Sequence, residues 1–120
     1  MVEPLGSLSV VVHDGICVAT LSGEIDLSNR DSVAQQLEAA VDDGLDLVVD
    51  LEPLRYLDSA GIRMLFELQG RLVERGRTLR LVATPDLVVW RVLTLTGLAA
   101  TVPSHPTVTD AIRAVGAPLN

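Results

Sequence analysis

The stretch that decides the fold runs over residues 47–68 and reads LVVDLEPLRYLDSAGIRMLFEL. Its first part, residues 47–51, is an apolar run, which predicts a buried strand covered on both faces. From residue 62 on, apolar residues recur at helical spacing, which predicts an α-helix. The polar pair Asp58-Ser59 lies just before that helix. A strand that leads into a helix and then into another strand predicts a parallel, right-handed crossover unit.

The pair Asp58-Ser59 has two interpretations. A small polar side chain at a helix start accepts hydrogen bonds from N–H groups that have no partner within the helix. The same N–H groups and the helix dipole attract negative charge, so a hydroxyl here is also a natural place for a bound or covalent phosphate. From the local sequence alone an ordinary N-cap is the simpler interpretation, and the phosphate site is the alternative.

The composition predicts one α/β domain with an aliphatic core. A chain of 120 residues fits a single domain, and 48% of its residues are apolar while only three are aromatic. The net charge of −7 and the lack of a basic cluster argue against nucleic acid as a partner. Lysine is absent, which excludes a P-loop lysine, a Schiff-base lysine and the lysine of a receiver domain.

Compartment and cofactor use follow from what the sequence lacks. The single cysteine, Cys17, cannot form an intrachain disulfide and lies in an apolar strand pattern, which predicts a buried, inert thiol. No signal peptide pattern is present, and no apolar run reaches the ~20 residues of a membrane span. No cluster of metal-ligand residues has a ligand spacing. We therefore expect a cytoplasmic protein with no membrane contact, cofactor or metal.

The N-terminal half predicts a hairpin followed by a helix. After a tail over residues 1–7, two strands over residues 8–12 and 16–21 flank the turn His13-Asp14-Gly15, and Asp-Gly between such runs predicts an antiparallel hairpin. Ser28 and Asp31 then resemble a capping box. The helix that follows carries an apolar stripe and ends near a glycine; these residues are Val33, Leu37, Val41 and Gly44.

The C-terminal half predicts a loop, two more strands and three helices. In order we expect a loop over 52–56, a helix over 59–75 and a strand over 78–83. A helix from Pro85 follows, with an apolar side at Val88, Val89, Val92, Leu93 and Leu95. An edge strand over 100–102 and a helix over 107–115 come last. About four helices would then pack on one mixed sheet. The predicted domain covers residues 8–116 and leaves a C-terminal tail over 117–120.

Three segments in this order resemble the STAS domain, and most closely the single-domain anti-sigma factor antagonists of bacteria. They are GEID at residues 23–26, DSAGI at residues 58–62 and VLTLTGL at residues 92–98. The resemblance covers roughly residues 8–115. It implies a STAS fold with an N-terminal antiparallel hairpin followed by parallel strands. It also implies a regulatory protein that is not an enzyme.

The resemblance further implies a partner-switching function. In such antagonists the serine after the aspartate, here Ser59, is phosphorylated by the partner anti-sigma factor, a serine protein kinase of histidine-kinase-like type that uses ATP. The unmodified antagonist binds the anti-sigma factor and frees a sigma factor, whereas the phosphorylated antagonist does not bind. A phosphatase would reverse the modification. The family often has Ser or Thr where this chain has Ala60, which leaves one candidate hydroxyl in the motif.

Five residues are candidate neighbours of the phosphorylation site or contacts of the partner: Asp26, Asp58, Gly61, Arg63 and Met64. Asp58 would repel the phosphate, and Asp26 would help orient Ser59 or would serve only as a loop or cap residue. Arg63, one helical turn after Ser59, would pair with a phosphate or an acidic partner, or would lie on a solvated face. Met64 would contact the partner or fill the core, and its helical spacing favours the core.

Two other functions stay open at this point. A STAS domain without a phosphate switch would act as a scaffold or regulatory module of another stress-signalling complex, with Ser59 serving only as a cap. A serine hydrolase is disfavoured because the G-x-S-x-G elbow is absent. The two candidate bases are also poorly placed, since His13 lies in a predicted turn and His105 in a predicted loop between two prolines.

Overall fold

The computed structural model describes residues 6–116, and this part of the chain contains six strands and five helices. The strands are β1 Gly6–His13, β2 Ile16–Ile25, β3 Asp46–Asp50, β4 Leu54–Leu57, β5 Leu79–Val82 and β6 Ser104–His105. The helices are α1 Arg30–Asp42, α2 Ser59–Glu74, α3 Trp90–Leu95, α4 Leu98–Thr101 and α5 Val108–Gly116. The predicted mixed α/β architecture is confirmed, with one helix more than expected.

The strands form one mixed sheet in the order β1-β2-β3-β5-β6. Strand β1 is antiparallel to β2, and all other pairs are parallel, as the hairpin and crossover patterns predicted. Strand β2 is long enough to pair twice: its first half pairs with β3, and its end, Gly23–Ile25, pairs with β4. This second pairing places the end of β2 beside the strand that leads into α2.

The predicted hairpin turn is confirmed. Asp14 and Gly15 both have positive φ, 50° and 79°, and the register pairs His13 with Ile16 across them. Two central residues with positive φ make a type I′ turn, whose twist matches that of the flanking strands. An Asp-Gly sequence suits this geometry because neither residue carries a β-branched side chain.

The core lies on both faces of the sheet. Leu47, Val48 and Val49 of β3 are fully buried, which confirms the strand covered on both faces. Helices α1 to α4 contribute to the larger core cluster on one face, and Ala111 of α5 packs on the other with Val48. The predicted stripe of α1 is also buried, at Val33, Leu37 and Val41.

The capping box predicted for α1 is wrong. The N-cap is Asn29, and the Ser28 hydroxyl donates to Asp26 Oδ1 at 2.5 Å instead of capping the helix. The Asn29 side chain spans the turn: its Nδ2 donates to the carbonyl oxygen of Glu24, and its Oδ1 accepts from Asp26 N–H. These bonds to the end of β2 fix the turn and hold Ser28 outside the first turn of α1.

Residues 52–56, predicted as a loop, contain most of β4, and β2 runs four residues beyond its predicted end at Leu21. The two corrections have one cause, because each of these segments supplies the backbone partner of the other. Leu54 and Leu57 of β4 are 2% and 4% exposed, so the short strand also contributes to the core.

The segment after β5 also differs from the prediction. Helix α3 begins at Trp90 instead of near Pro85, and Val88 and Leu95 are 76% and 74% exposed instead of buried. The strand predicted over residues 100–102 is wrong: residues 100 and 101 belong to helix α4, because Gly97 with φ 83° turns the chain and its carbonyl oxygen accepts from Thr101 N–H. The edge strand is β6, immediately after it.

The two ends of the described region test part of the predicted boundaries. Strand β1 begins at Gly6, so two residues assigned to the N-terminal tail pair with β2. Thr107 Oγ1 accepts from Asp110 N–H at 3.1 Å, so a threonine side chain caps the start of α5. The rest of the predicted tails, residues 1–5 and 117–120, lies outside the described residues.

Candidate functional site

Asp58 and Ser59 have different roles at the start of α2. Asp58 is the N-cap: its backbone is extended, and its Oδ1 accepts from Gly61 N–H at 3.0 Å. Ser59 is the first residue of the helix, its side chain is exposed, and its hydroxyl has no hydrogen-bond partner among the described residues. The cap bond of Asp58 is therefore made without Ser59, whose hydroxyl is exposed to solvent.

Ser59 lies in a depression that two arginines help to form. The depression has a volume of about 210 Å³ and is lined by Leu27, Arg30, Ser59, Ala60 and Arg63. Arg63 lies one turn along α2 from Ser59, and Arg30 is the first residue of α1. The depression therefore combines a nucleophilic hydroxyl with two guanidinium groups from two different helices.

Only some of the hydrogen-bond donors of the Arg30 guanidinium group have partners among the described residues. Its Nη2 lies 2.9 Å from Asp31 Oδ1, while its Nε atom is buried with no hydrogen-bond partner. Arg63 forms no ion pair with any residue that the structure describes. Guanidinium groups bind phosphate oxygens strongly and often in bidentate geometry. Both side chains therefore have donors available for an anion beside Ser59.

The charge around Ser59 favours an anion. The first turn of α2 contains no acidic residue beyond the N-cap Asp58, whose Oδ1 accepts from Gly61 N–H, and its other backbone N–H groups add the partial positive charge of a helix N-terminus. The two arginines increase this local positive charge on a chain whose net charge is −7. Neither His13 nor His105 lines the depression, so it provides no histidine base for a hydrolase.

Asp26 is held at the end of β2, close in the chain to the depression but not in its lining. Its Oδ1 accepts from the Ser28 hydroxyl and from Ser28 N–H at 2.8 Å. These two bonds, the hydroxyl bond being the stronger cause, lower the pKa of the Asp26 carboxyl below its ordinary value. The backbone N–H of Asp58 donates to the carbonyl oxygen of Ile25, so the turn around Asp26 is tied to the start of α2.

Gly61 and Met64 are buried residues with packing roles. A Cβ on Gly61 would lie 2.3 Å from Cδ1 of Leu57 and 3.4 Å from Cγ2 of Ile25, so only glycine fits without movement. Met64 is 3% exposed and belongs to the core, where it forms the base of a cleft between α1 and α2. This burial favours the core alternative for Met64 over a direct partner contact.

Sequence reasoning missed two features of this region. Arg30 was not singled out, because only the packing of α1 on α2 brings it to Ser59. The second feature is an apolar groove of about 310 Å³ between β4 and α3, lined by Arg55, Tyr56, Leu57, Val88, Val89, Arg91, Val92 and Leu95. It was missed because β4 was predicted as a loop and the exposed residues of α3 as core.

Two further observations bear on the class of protein. Within residues 6–116 no helix is long and apolar enough to cross a membrane. In the same part of the chain no group of three or more His, Cys, Asp or Glu side chains is placed to hold a metal ion.

Comparison with known proteins identifies the family. The STAS domain family matches residues 7–111, nearly the whole of the described region. The chain is 30% identical over 113 residues to the anti-sigma-F factor antagonist RsfB of Mycobacterium tuberculosis, a match that spans 91% of this chain and 88% of RsfB. The class is thus a STAS domain protein, and within it the chain belongs to the family of anti-sigma factor antagonists.

Solved structures agree with this assignment. A crystal structure of an anti-sigma factor antagonist from Mycobacterium paratuberculosis superposes with a TM-score of 0.84 at 34% identity, over 93% of this chain and 95% of that one. The antagonist SpoIIAA shares the fold at 20% identity. Its unphosphorylated form has a TM-score of 0.78 over 95% of this chain and all of that one. The phosphorylated form, from Bacillus, has a TM-score of 0.71 over 91% and 99%.

Proposed function

We propose that the chain is a phosphorylation-controlled antagonist in which Ser59 is the switch. With Ser59 unmodified it binds an anti-sigma factor and so frees a sigma factor; with Ser59 phosphorylated it releases that partner. The observation that carries this proposal is the exposed Ser59 hydroxyl beside Arg30 and Arg63, at a helix start whose cap is supplied by Asp58. The partner is a histidine-kinase-like serine protein kinase that uses cytoplasmic ATP, and a phosphatase reverses the reaction.

The site can accept a phosphate without a change of fold. Phosphorylation adds about −1.5 to −2 charge and three acceptor oxygens to Ser59. The depression offers the guanidinium groups of Arg30 and Arg63 and the N-terminal end of α2 to these oxygens. Because the cap bond of Asp58 to Gly61 does not involve the Ser59 hydroxyl, modification leaves that bond in place.

The same phosphate disfavours a bound partner. In the free protein the dianion keeps much of its hydration, because Ser59 is exposed. A partner packed over the start of α2 removes that water and places its own groups against the new charge. An imperfectly paired dianion in an interface costs several kcal/mol, on the order of a thousandfold in affinity. Binding is therefore lost without any rearrangement of this chain.

Two features of the relatives support the proposal. The relative RsfB is an antagonist of an anti-sigma-F factor and aligns over nearly the whole chain. SpoIIAA, which shares the fold, exists in a phosphorylated form. An antagonist fold is thus compatible with phosphorylation in at least one protein of similar architecture.

The test begins with phosphate transfer. The chain is incubated with ATP and, one at a time, each histidine-kinase-like anti-sigma factor of the same genome, and intact mass is recorded. We expect one of them to add a single phosphate to the wild type and none to Ser59→Ala. The matched control is Ser9→Ala, which removes another exposed serine hydroxyl, from β1. Equal modification of Ser59→Ala would refute the assignment of the acceptor.

Binding to the same anti-sigma factor tests the switch itself. Ser59→Glu should weaken binding strongly, while Ser9→Glu, with the same added charge on β1, should bind as the wild type does. Circular dichroism should show the native fold for both variants. Retained binding by Ser59→Glu together with unmodified Ser59 would favour the alternative function, a STAS scaffold or regulatory module without a phosphate switch.

A further inference from the structure

The groove between β4 and α3 is apolar and open to solvent. One wall comes from β4, including Tyr56, and the other from residues 88–95. Tyr56, Val88 and Leu95 are 50%, 76% and 74% exposed. Three large hydrophobic side chains from two separate segments thus meet at one surface position. Exposed apolar patches of this kind are typical of protein interaction sites.

Two arginines give this apolar groove a positive rim. Arg55 and Arg91 both line it, and neither forms an ion pair or a side-chain hydrogen bond with any residue of the described region. No acidic residue is part of the lining. On a chain with a net charge of −7, the lining of the groove thus carries a local positive charge. Charge complementarity therefore favours an occupant that is acidic as well as apolar.

The groove is linked to the region of Ser59 by the short segment of residues 57–59. Leu57 lies in the groove wall, is 4% exposed, and packs against Gly61 in the first turn of α2. Ser59 is two residues further along the chain, in the depression that Arg30 and Arg63 help to line. A partner that covers the start of α2 therefore lies close in the chain to one wall of the groove.

We propose that this groove is a docking site for an acidic, apolar segment of the anti-sigma factor. The proposal rests on the proposed function and adds to it the place and the chemistry of a second contact. Tyr56, Val88 and Leu95 take up the apolar side chains of the segment, and Arg55 and Arg91 pair with carboxylates beside them. A phosphate on Ser59 then also weakens docking at a distance, because it repels the acidic segment.

The first test uses the anti-sigma factor that binds the wild type in the experiment above. Val88→Gln and Leu95→Gln should weaken binding at least tenfold, while Val73→Gln, an equally polar change at an exposed valine on α2, should stay within twofold. All three positions are exposed, so the variants should keep their fold. Arg91→Glu should likewise weaken binding tenfold, with Arg77→Glu as its exposed control.

The outcomes separate this proposal from the proposed function. If the wild type binds and Ser59→Glu does not, but Val88→Gln and Leu95→Gln bind as the wild type does, the switch stands and the docking site is refuted. If no anti-sigma factor binds the wild type, the proposed function fails, and with it the identity of the occupant. The chemistry of the groove is then decided by the second measurement alone.

The second measurement uses synthetic peptides and methyl NMR. One peptide carries two leucines flanked by glutamates, and its matched copy carries lysines in place of the glutamates. The glutamate peptide should shift the methyl signals of Val88, Val92 and Leu95, and Arg91→Glu should reduce these shifts. The lysine peptide should leave them unchanged. Equal shifts with both peptides, or none with either, would refute the proposed preference for an acidic segment.

Discussion

Replacing two glycines of the same helix should have opposite effects on stability. Gly61 and Gly70 both lie in α2, so a change to alanine gives each position the same gain in helix propensity, up to about 1 kcal/mol. A Cβ on Gly70 meets no atom within 4 Å, whereas a Cβ on Gly61 would lie 2.3 Å from Cδ1 of Leu57. The two variants therefore isolate the effect of close packing at the start of α2.

The expected magnitudes follow from this geometry. To restore an ordinary contact of 3.4 Å, Cδ1 of Leu57 must retreat by about an ångström. Leu57 is 4% exposed and pairs with the fully buried Ile25, so its side chain can retreat only toward the groove between β4 and α3, which disturbs its packing in the core. Overpacking of this kind costs about 1–3 kcal/mol. After the gain in propensity, Gly61→Ala should lose about 1–2 kcal/mol, while Gly70→Ala should gain about 0.5–1 kcal/mol.

Thermal and urea unfolding measure the difference. The two variants should differ in Tm by about 6–12 °C, taking about 4 °C per kcal/mol for a domain of this size. In a Leu57→Ala background the clash is absent, so Gly61→Ala should no longer destabilise, and the two changes should be strongly non-additive. If Gly61→Ala costs as much in that background as in the wild type, contact with Leu57 is not the reason for the glycine.

Three further outcomes are expected. Asp58→Ala should lose about 1 kcal/mol in urea unfolding and Asp58→Asn much less, since asparagine keeps an N-cap oxygen; equal losses would contradict the cap. Ser28→Ala should raise the pKa of Asp26 in an NMR titration, because the bond that lowers it is lost. The lowered pKa stabilises the fold at neutral pH, and this contribution disappears as the pH falls through the folded-state pKa, so Ser28→Ala should cost stability at pH 7 and none near pH 2. Burial raises the pKa of the Cys17 thiol, which is 1% exposed, so a disulfide reagent at pH 8 should react with it only in denaturant; rapid reaction of the folded protein would refute its burial.

The elements that the sequence predicted correctly are those whose signals are local. The hairpin rests on Asp14-Gly15, where two adjacent residues adopt the positive φ that the turn needs. Strand β3 and helix α2 rest on an apolar run and a helical period within single segments. In each case the residues that determine the structure are neighbours in the chain, so their pattern can be interpreted without knowledge of the fold.

The errors occurred where a partner distant in the chain decides the structure. Strand β4 exists because the end of β2 supplies its backbone partners, whereas its own sequence follows Pro53 directly and contains the charged Arg55. The start of α1 was misplaced because Asn29 bonds to β2. The exposure of Leu95 was likewise missed, since helical spacing does not reveal which face lies against the sheet.

The residues of the candidate site show the same contrast between local sequence signals and contacts between distant segments. Asp58, Ser59 and Arg63 share one helix start, so their spacing already predicted a cap, a hydroxyl and a cation one turn apart. Arg30 comes to Ser59 only through the packing of α1 beside α2. The sequence offered one indication of its role. Arg30 follows the segment GEID at residues 23–26 and lies at the start of a predicted helix.

Under the proposed function, the different roles of Asp58 and Ser59 would allow Ser59 to act as a switch without being needed for the fold. Because Asp58 supplies the cap, the Ser59 hydroxyl makes no intramolecular bond among the described residues that folding would miss. Ser59→Ala should therefore keep the stability of the wild type within about 0.5 kcal/mol. Had Ser59 been the cap, a phosphate would have disturbed the first turn of α2, and the signal would have been coupled to unfolding. In the proposed switch, a free hydroxyl beside Arg30 and Arg63 would instead let the charge change while the helix stays in place, and the effect of phosphorylation would fall on the bound partner.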